Sequence, residues 1–236
     1  MFGNRLLSRR RARDEAEKPF WISFADLMTA LMVLFLVVMG VALLAVTKTV
    51  NEREQRETAH QQGLEQLLAQ FAQAAQRHEG VRLDKARRVI DFGDRARFAF
   101  GKSALAPEQA AVLRRFVPEI VALANGEPGR RLLKRVVVEG YTDKTGSYLG
   151  NLDLSLQRSQ RVLCAMFATE GEAVLSDEQK EQVRALFLVG GYSSNAAKDS
   201  DEESRRVEMR LEFLGLDESR PAAAPASGRF GDCALR

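Results

Sequence analysis

Two groups of residues have the types and spacing to do chemistry. The first is Asp26, with Ser23 and Thr29 three residues to either side. On a helix that spacing puts both hydroxyls on the carboxylate's face. The segment around them is apolar: from Leu27 to Val46 only Thr29 and Gly40 interrupt it. A charge in hydrocarbon costs a few kcal/mol, so Asp26 lies near an interface or faces something that compensates it. Within a polar stripe it can take up and release a proton or a cation. The plainer role is a helix-start carboxylate favoured by the macrodipole at the membrane surface. Trp21 is the better interface marker, and it places Asp26 more than one turn deeper.

The second group is Val138-Glu139-Gly140-Tyr141-Thr142-Asp143, followed by Gly146, Asn151, Leu154-Ser155 and Arg158. This pattern spans a strand end, a loop and the start of the next helix, where side chains converge. A carboxylate, an arginine and an amide can hold a zwitterion: Arg158 forks onto its carboxylate and Asp143 takes its ammonium. Structural roles fit the same residues. Asp143 can cap a turn, Asn151 can start the helix and Arg158 can form a surface ion pair.

Little else in the chain points to chemistry. His60 and His78 lack ligand-spaced partners, so no metal site is expected, and no glycine-rich phosphate cradle is present. No cofactor and no covalent catalysis are expected. Cys164 and Cys233 can bridge within a chain, bridge between chains or remain free.

These residues need elements to position them. A helix of about 20 apolar residues crosses the roughly 30 Å of a bilayer's hydrocarbon, so residues 20–46 are read as a transmembrane helix. A signal peptide would have a shorter apolar core and a clearer cleavage site. Arg5, Arg9, Arg10, Arg11 and Arg13 precede the helix and hold residues 1–19 in the cytoplasm by the positive-inside rule, which explains them better than nucleic-acid binding. The rest is exported, in a two-membrane bacterium to the periplasm. Residues 47–86 read as a polar stalk and an amphipathic helix. Its stripe of Leu64, Leu67, Leu68, Phe71, Ala74 and Ala75 suits a second copy or the following domain, with the second copy preferred.

A length of 236 residues leaves room for one further domain of ordinary size. It is placed at 87–215, with a mobile tail at 216–236. Strand character is read at Arg87–Phe92, Ala96–Phe100, Val136–Val138, Leu186–Val189 and Val207–Phe213. Helices are read after Pro107 and over Asn151–Thr169. Interleaved this way, they give an α/β sandwich with helices on one face of a mixed sheet.

Tyr141-Thr142-Asp143, Gly146, Asn151, Leu154-Ser155, Arg158 and Ser204-Arg205-Arg206-Val207-Glu208 resemble the signature of OmpA-like peptidoglycan-binding domains. Phe98 to Leu105 resembles the opening of that family's domain, and the resemblance covers about Arg87 to Leu214. It implies that Asp143 and Arg158 grip the diaminopimelate of a peptidoglycan stem peptide. Thr142 and Leu154 belong to the same motif, and Asn151 and Arg206 complete or support the site. Ser204 departs from the family's usual asparagine.

Trp21 to Met32 resembles the membrane segment of flagellar stator B subunits (MotB-like), whose matching aspartate carries the ion. The wording from Phe20 to Met28, the short stalk and the compact length are similar to the B subunits of Zorya anti-phage defence systems. That resemblance implies a rotary motor driven by H+ or Na+. Two B chains as a homodimer would stand inside a ring of multi-span A-type subunits, in a ratio of five to two, anchored to the wall. A flagellar stator subunit and a passive inner-membrane tether are the alternatives. The TolR and ExbD group shares a single aspartate-bearing helix but not this kind of wall-binding domain.

Overall fold

The computed structural model describes residues 6–221 and 230–233, with side chains from Trp21 onward, Ile22 excepted. Arg5, the side chains of the other N-terminal arginines and most of the expected mobile tail, 222–229 and 234–236, lie outside the description. The chain divides into two compact units, Met1–Glu57 and Thr58–Arg236.

In the first unit α1 (Leu6–Gln76) carries the apolar segment. Among the described residues it is the one helix long and apolar enough to cross a membrane. Every residue from Leu27 to Val46 is exposed on this helix. Thr47 donates its hydroxyl to the Leu43 carbonyl at 2.8 Å, keeping that hydroxyl inside the helix's own hydrogen bonding. Past the apolar stretch the helix is polar. Arg53 and Glu57 pair at 2.9 Å, an exposed contact worth a few tenths of a kcal/mol.

The second unit is built on a five-stranded sheet in the order β1-β2-β5-β3-β4. The strands are β1 (Arg82–Asp84), β2 (Val89–Asp91), β3 (Leu133–Gly140), β4 (Phe187–Gly191) and β5 (Val207–Phe213). β3 and β4 are parallel, joined through α4 (Tyr148–Phe167) and α5 (Asp177–Leu186), and the other pairings are antiparallel. Alternation along β3 and β5 sends Val136, Val138, Val207, Met209 and Leu211 into the core under α2 (Pro107–Asn125), α4 and α5. The charged residues Glu139, Glu208, Arg210 and Glu212 lie on the other side.

The structure corrects three expectations. The stripe read as a seam for a second copy is used inside the domain: Leu67, Phe71, Ala74 and Ala75 are fully buried in the same core as the sheet. The compact unit therefore begins at Thr58, well before Arg87. Ala96–Phe100 is not a strand. Gly93–Ala96 forms a short 3-10 turn, and Arg97 then makes a single antiparallel bridge with Arg206. Phe98 turns into the core while Phe100 stays out, and Gly101 (φ 64°) redirects the chain. Finally, the Asn125–Gly129 break is followed at once by a short helix, α3 (Glu127–Leu132), and the third longer helix is α5, whose signal is local: Ser176 and Gln179 form a capping box.

The two cysteines are bridged within the chain, with their Cα atoms 5.5 Å apart. Phe230 packs on Phe167 beside the bridge, with ring centroids at 4.9 Å. Arg220 fastens the start of the tail by donating to the carbonyls of Ala124, Gly129 and Leu133 at 2.7 to 3.0 Å.

Candidate functional site

The wall-side candidate forms where β3 ends. A Cβ added to Gly140 would lie 1.9 Å from the Ser155 carbonyl, so only glycine lets α4 come this close to the strand. That approach sets Asn151, Ser155 and Arg158 of α4 against the loop after β3. The loop is held from both sides: Tyr141 donates its N–H to the Arg206 carbonyl at 2.9 Å, and Thr142 donates to Ser193 at 3.0 Å. Ser155 joins in by accepting the Ser193 N–H at 3.0 Å.

Asp143 is nearly buried, with 4% exposure. One carboxylate oxygen accepts the Thr145 N–H at 3.0 Å and the other accepts from Arg205 at 3.1 Å. Asn151 shapes the loop, donating its side-chain amide to the carbonyls of Asp143 (3.3 Å) and Thr145 (3.0 Å). Gly146, at φ 100°, makes the turn between them.

Arg158 lies in the expected place but is fully buried. It donates to the carbonyls of Lys102 (2.9 Å), Tyr141 (2.7 Å) and Ala99 (3.4 Å), and its guanidinium stands 5.1 Å from the Phe98 ring centroid. Burial pulls its pKa down to about 10; Asp143 opposes that shift and Arg205 adds to it. Arg158 therefore stays charged at neutral pH and supplies positive potential from beneath the loop. The cation bonded directly to Asp143 is Arg205, a residue the spacing argument passes over.

The other expected residues take distinct positions. Thr142 is buried, and its hydroxyl has no hydrogen-bond partner among the described residues, a group open to a ligand or a water. Leu154 is half-buried on α4. Arg206 points away from Asp143: it bonds Glu208 at 2.7 Å and the Ala196 carbonyl at 3.3 Å, and lies 4.4 Å over the Tyr141 ring. Ser204 supports this stretch by accepting the Lys198 N–H at 2.9 Å and donating to the Ser200 carbonyl at 2.8 Å. Behind the loop, Tyr141 donates its hydroxyl to the buried Glu139 at 2.7 Å, and Arg210 grips both Glu139 oxygens at 2.6 and 2.9 Å. Burial and that carboxylate push the Tyr141 phenol pKa up.

In the membrane unit Asp26, Ser23 and Thr29 are exposed on α1. Thr29 turns its hydroxyl onto the Ala25 carbonyl, one turn back and next to Asp26 in sequence. Asp26 is the sole charged residue from Trp21 to Val46.

The OmpA family model matches residues 97–209, and that of membrane MotB of the proton-channel complex MotA/MotB matches residues 8–61. A Zorya protein ZorB of Escherichia coli O139:H28 is 44% identical over 226 residues, covering 94% of this chain and 92% of that protein. A second Zorya protein ZorB, from the Crooks strain of Escherichia coli, is 23% identical over 228 residues, 88% of this chain and 94% of that protein. Among solved structures, the periplasmic domain of MotB is 18% identical, covers 52% of this chain and 61% of that chain, and superposes with a TM-score of 0.37.

Proposed function

Since the chain belongs to the family of Zorya ZorB proteins, we propose that it is the wall-anchored, ion-carrying subunit of an inner-membrane rotary motor in anti-phage defence. The observation that carries this reading is Asp26, alone among apolar residues on an exposed helix within the stretch that resembles MotB. Binding H+ or Na+ neutralises the carboxylate, and its preference switches from a hydrated to an apolar contact. One charge moved through 100 mV supplies roughly 2.3 kcal/mol, enough to drive such a switch. Ser23 and Thr29 offer hydroxyls along the ion's path. The partners are a ring of multi-span A-type subunits around two copies of this chain. Because the 64–75 stripe is occupied inside the domain, the two copies pair through the apolar helix.

In this reading the soluble domain sits in the periplasm, with the N-terminus cytoplasmic, and binds the stem peptide of peptidoglycan. The ammonium of a diaminopimelate displaces Arg205 from Asp143. The freed Arg205, backed by the charge of Arg158, then meets the carboxylate. Thr142 supplies the remaining polar contact.

The test is Asp26→Asn in cells carrying the complete neighbouring operon, after confirming unchanged membrane level and assembly. The amide keeps the side chain's shape but cannot cycle its charge. Loss of phage protection is expected. Full protection would sink the ion-carrying role and leave a passive wall tether. An intact operon that never protects would overturn the defence role in favour of motility.

A further inference from the structure

At the end of the sheet opposite the Asp143 loop, roughly 20 Å of strand away, the β2–β5 pairing stops at Val89 opposite Arg210 while β5 runs on to Phe213. The last bond there is Leu211 N–H to the Arg88 carbonyl at 2.9 Å, and by strand alternation Phe213 aims its N–H to the same side. Arg88 leads into β2 in a left-handed conformation, φ 56°, uncommon for a residue with a long side chain. The notch so formed is a cleft of about 330 Å³ lined by Arg87, Arg88, Lys134, Arg210, Glu212 and Phe213.

Every carboxylate that lines or backs it is already ion-paired. Glu212 is bonded to Arg135 at 2.5 Å, outside the cleft. Arg87 and Arg210 are held from behind by the buried Glu208 and Glu139, and those bonds raise both guanidinium pKa values. Lys134 pairs with Glu218. Arg88 lies over the Phe213 ring at 5.5 Å and has no carboxylate partner among the described residues. Four cationic groups from three chain segments thus surround one opening, two of them anchored by buried carboxylates.

We propose that this cleft binds a phosphate group. The forks of Arg87 and Arg210 are taken by Glu208 and Glu139, so the Arg88 fork and the further N–H groups of Lys134 and the anchored guanidiniums are what the cleft offers; donors on several sides suit a tetrahedral oxyanion better than a planar carboxylate. The shared chemistry is the anionic phosphate group, whether free in solution or in the head of an anionic phospholipid. This site is separate from the Asp143 loop and does not depend on the proposed wall binding.

The test uses the full chain in a nonionic detergent, titrated calorimetrically with pyrophosphate and, separately, with glycerophosphoglycerol, the water-soluble head of an anionic lipid. Saturable binding of at least one probe is expected, weakened about tenfold or more by Arg88→Glu and by Lys134→Gln, and unchanged in Asp143→Ala. Pyrophosphate binding alone identifies a free phosphate group as the ligand, and glycerophosphoglycerol binding alone a lipid head. Arg88 is exposed and holds no buried partner, so its reversal leaves the fold intact; equal melting curves check this, and Lys134→Gln decides if it does not. No saturable binding of either probe, or unchanged binding in both variants, overturns the proposal.

Discussion

Asp143 already spends both oxygens, one on the Thr145 amide and one on Arg205, so a ligand ammonium must compete with a guanidinium in place. Arg158 is committed more deeply, to three backbone carbonyls beneath the loop. The two residues therefore fail differently when removed. Asp143→Ala is expected to cut capture of a diaminopimelate-containing muropeptide at least about tenfold with little change in melting, read by calorimetry and circular dichroism. Arg158→Ala is expected to cost about 3 kcal/mol of stability, because a fully buried side chain is removed and three carbonyls, that of Tyr141 buried, lose their donor. Equal melting for both variants would contradict this division. A third residue sets an acid limit. Burial pushes Asp91 up, but the Gly93 N–H at 2.8 Å and Lys198 at 3.3 Å outweigh it and hold its pKa below the usual carboxylate range. A depressed carboxylate stabilises the fold above its unfolded pKa, about 3.9, and that contribution fades as pH falls through the lower folded value. Asp91→Asn should thus lower stability by about 1 kcal/mol at neutral pH and leave it unchanged at the acid extreme. Urea melts across pH check the sign.

At the scale of elements, the placing of α4 rests on Gly140. With the Ser155 carbonyl 1.9 Å from the position of an added Cβ, Gly140→Ala must push the helix off the strand. Loss of folded protein is expected, seen as a missing cooperative melt. A normal melt would mean that β3 and α4 are not in close contact. The last turns of α1 make a similar claim: Phe71→Ala should cost about 3–5 kcal/mol, and a fragment beginning at Arg87 should not fold, since it lacks Leu67, Phe71, Ala74 and Ala75. Here the limits of sequence reading become physical. Long periodic elements such as α2, α4 and β3 are legible because their buried faces repeat at 3.6 or 2 residues. The 64–75 stripe is equally periodic, but period specifies an apolar face and not what covers it. The same holds for Arg205 and Arg206. Neighbours entering a strand face opposite sides, and only the fold decides that Arg205 meets Asp143 while Arg206 stacks on Tyr141. Ala96–Phe100 alternates as a strand does, yet its pairing stops at the Arg97–Arg206 bridge and the Phe98 N–H to the Arg205 carbonyl at 2.8 Å, where the Phe98 ring lies under Arg158.

For the whole molecule, the bridge between Cys164 and Cys233 closes a loop with a sequence separation of 69. Restricting the unfolded chain over that length contributes up to about 4 kcal/mol. Cys233→Ser is therefore expected to lower the melting temperature of the Thr58–Arg236 unit, and reduction of the parent protein should reproduce the shift. An unchanged melting temperature would mean that the tail adds nothing to stability. Arg220, bonded to carbonyls near the end of α2, in the short helix Glu127–Leu132 and at the start of β3, keeps the tail's first part in place either way.

The burial of Leu67 and Phe71 has a mechanical side. A loose tether must be drawn out before it bears tension, and it twists freely. A helix end that supplies core side chains does neither, because it cannot be drawn or turned without tearing apolar groups from a close-packed interior. Any load reaching Thr58–Gln76 is borne at once by the sheet and helices around it, and the joint yields only when the domain does.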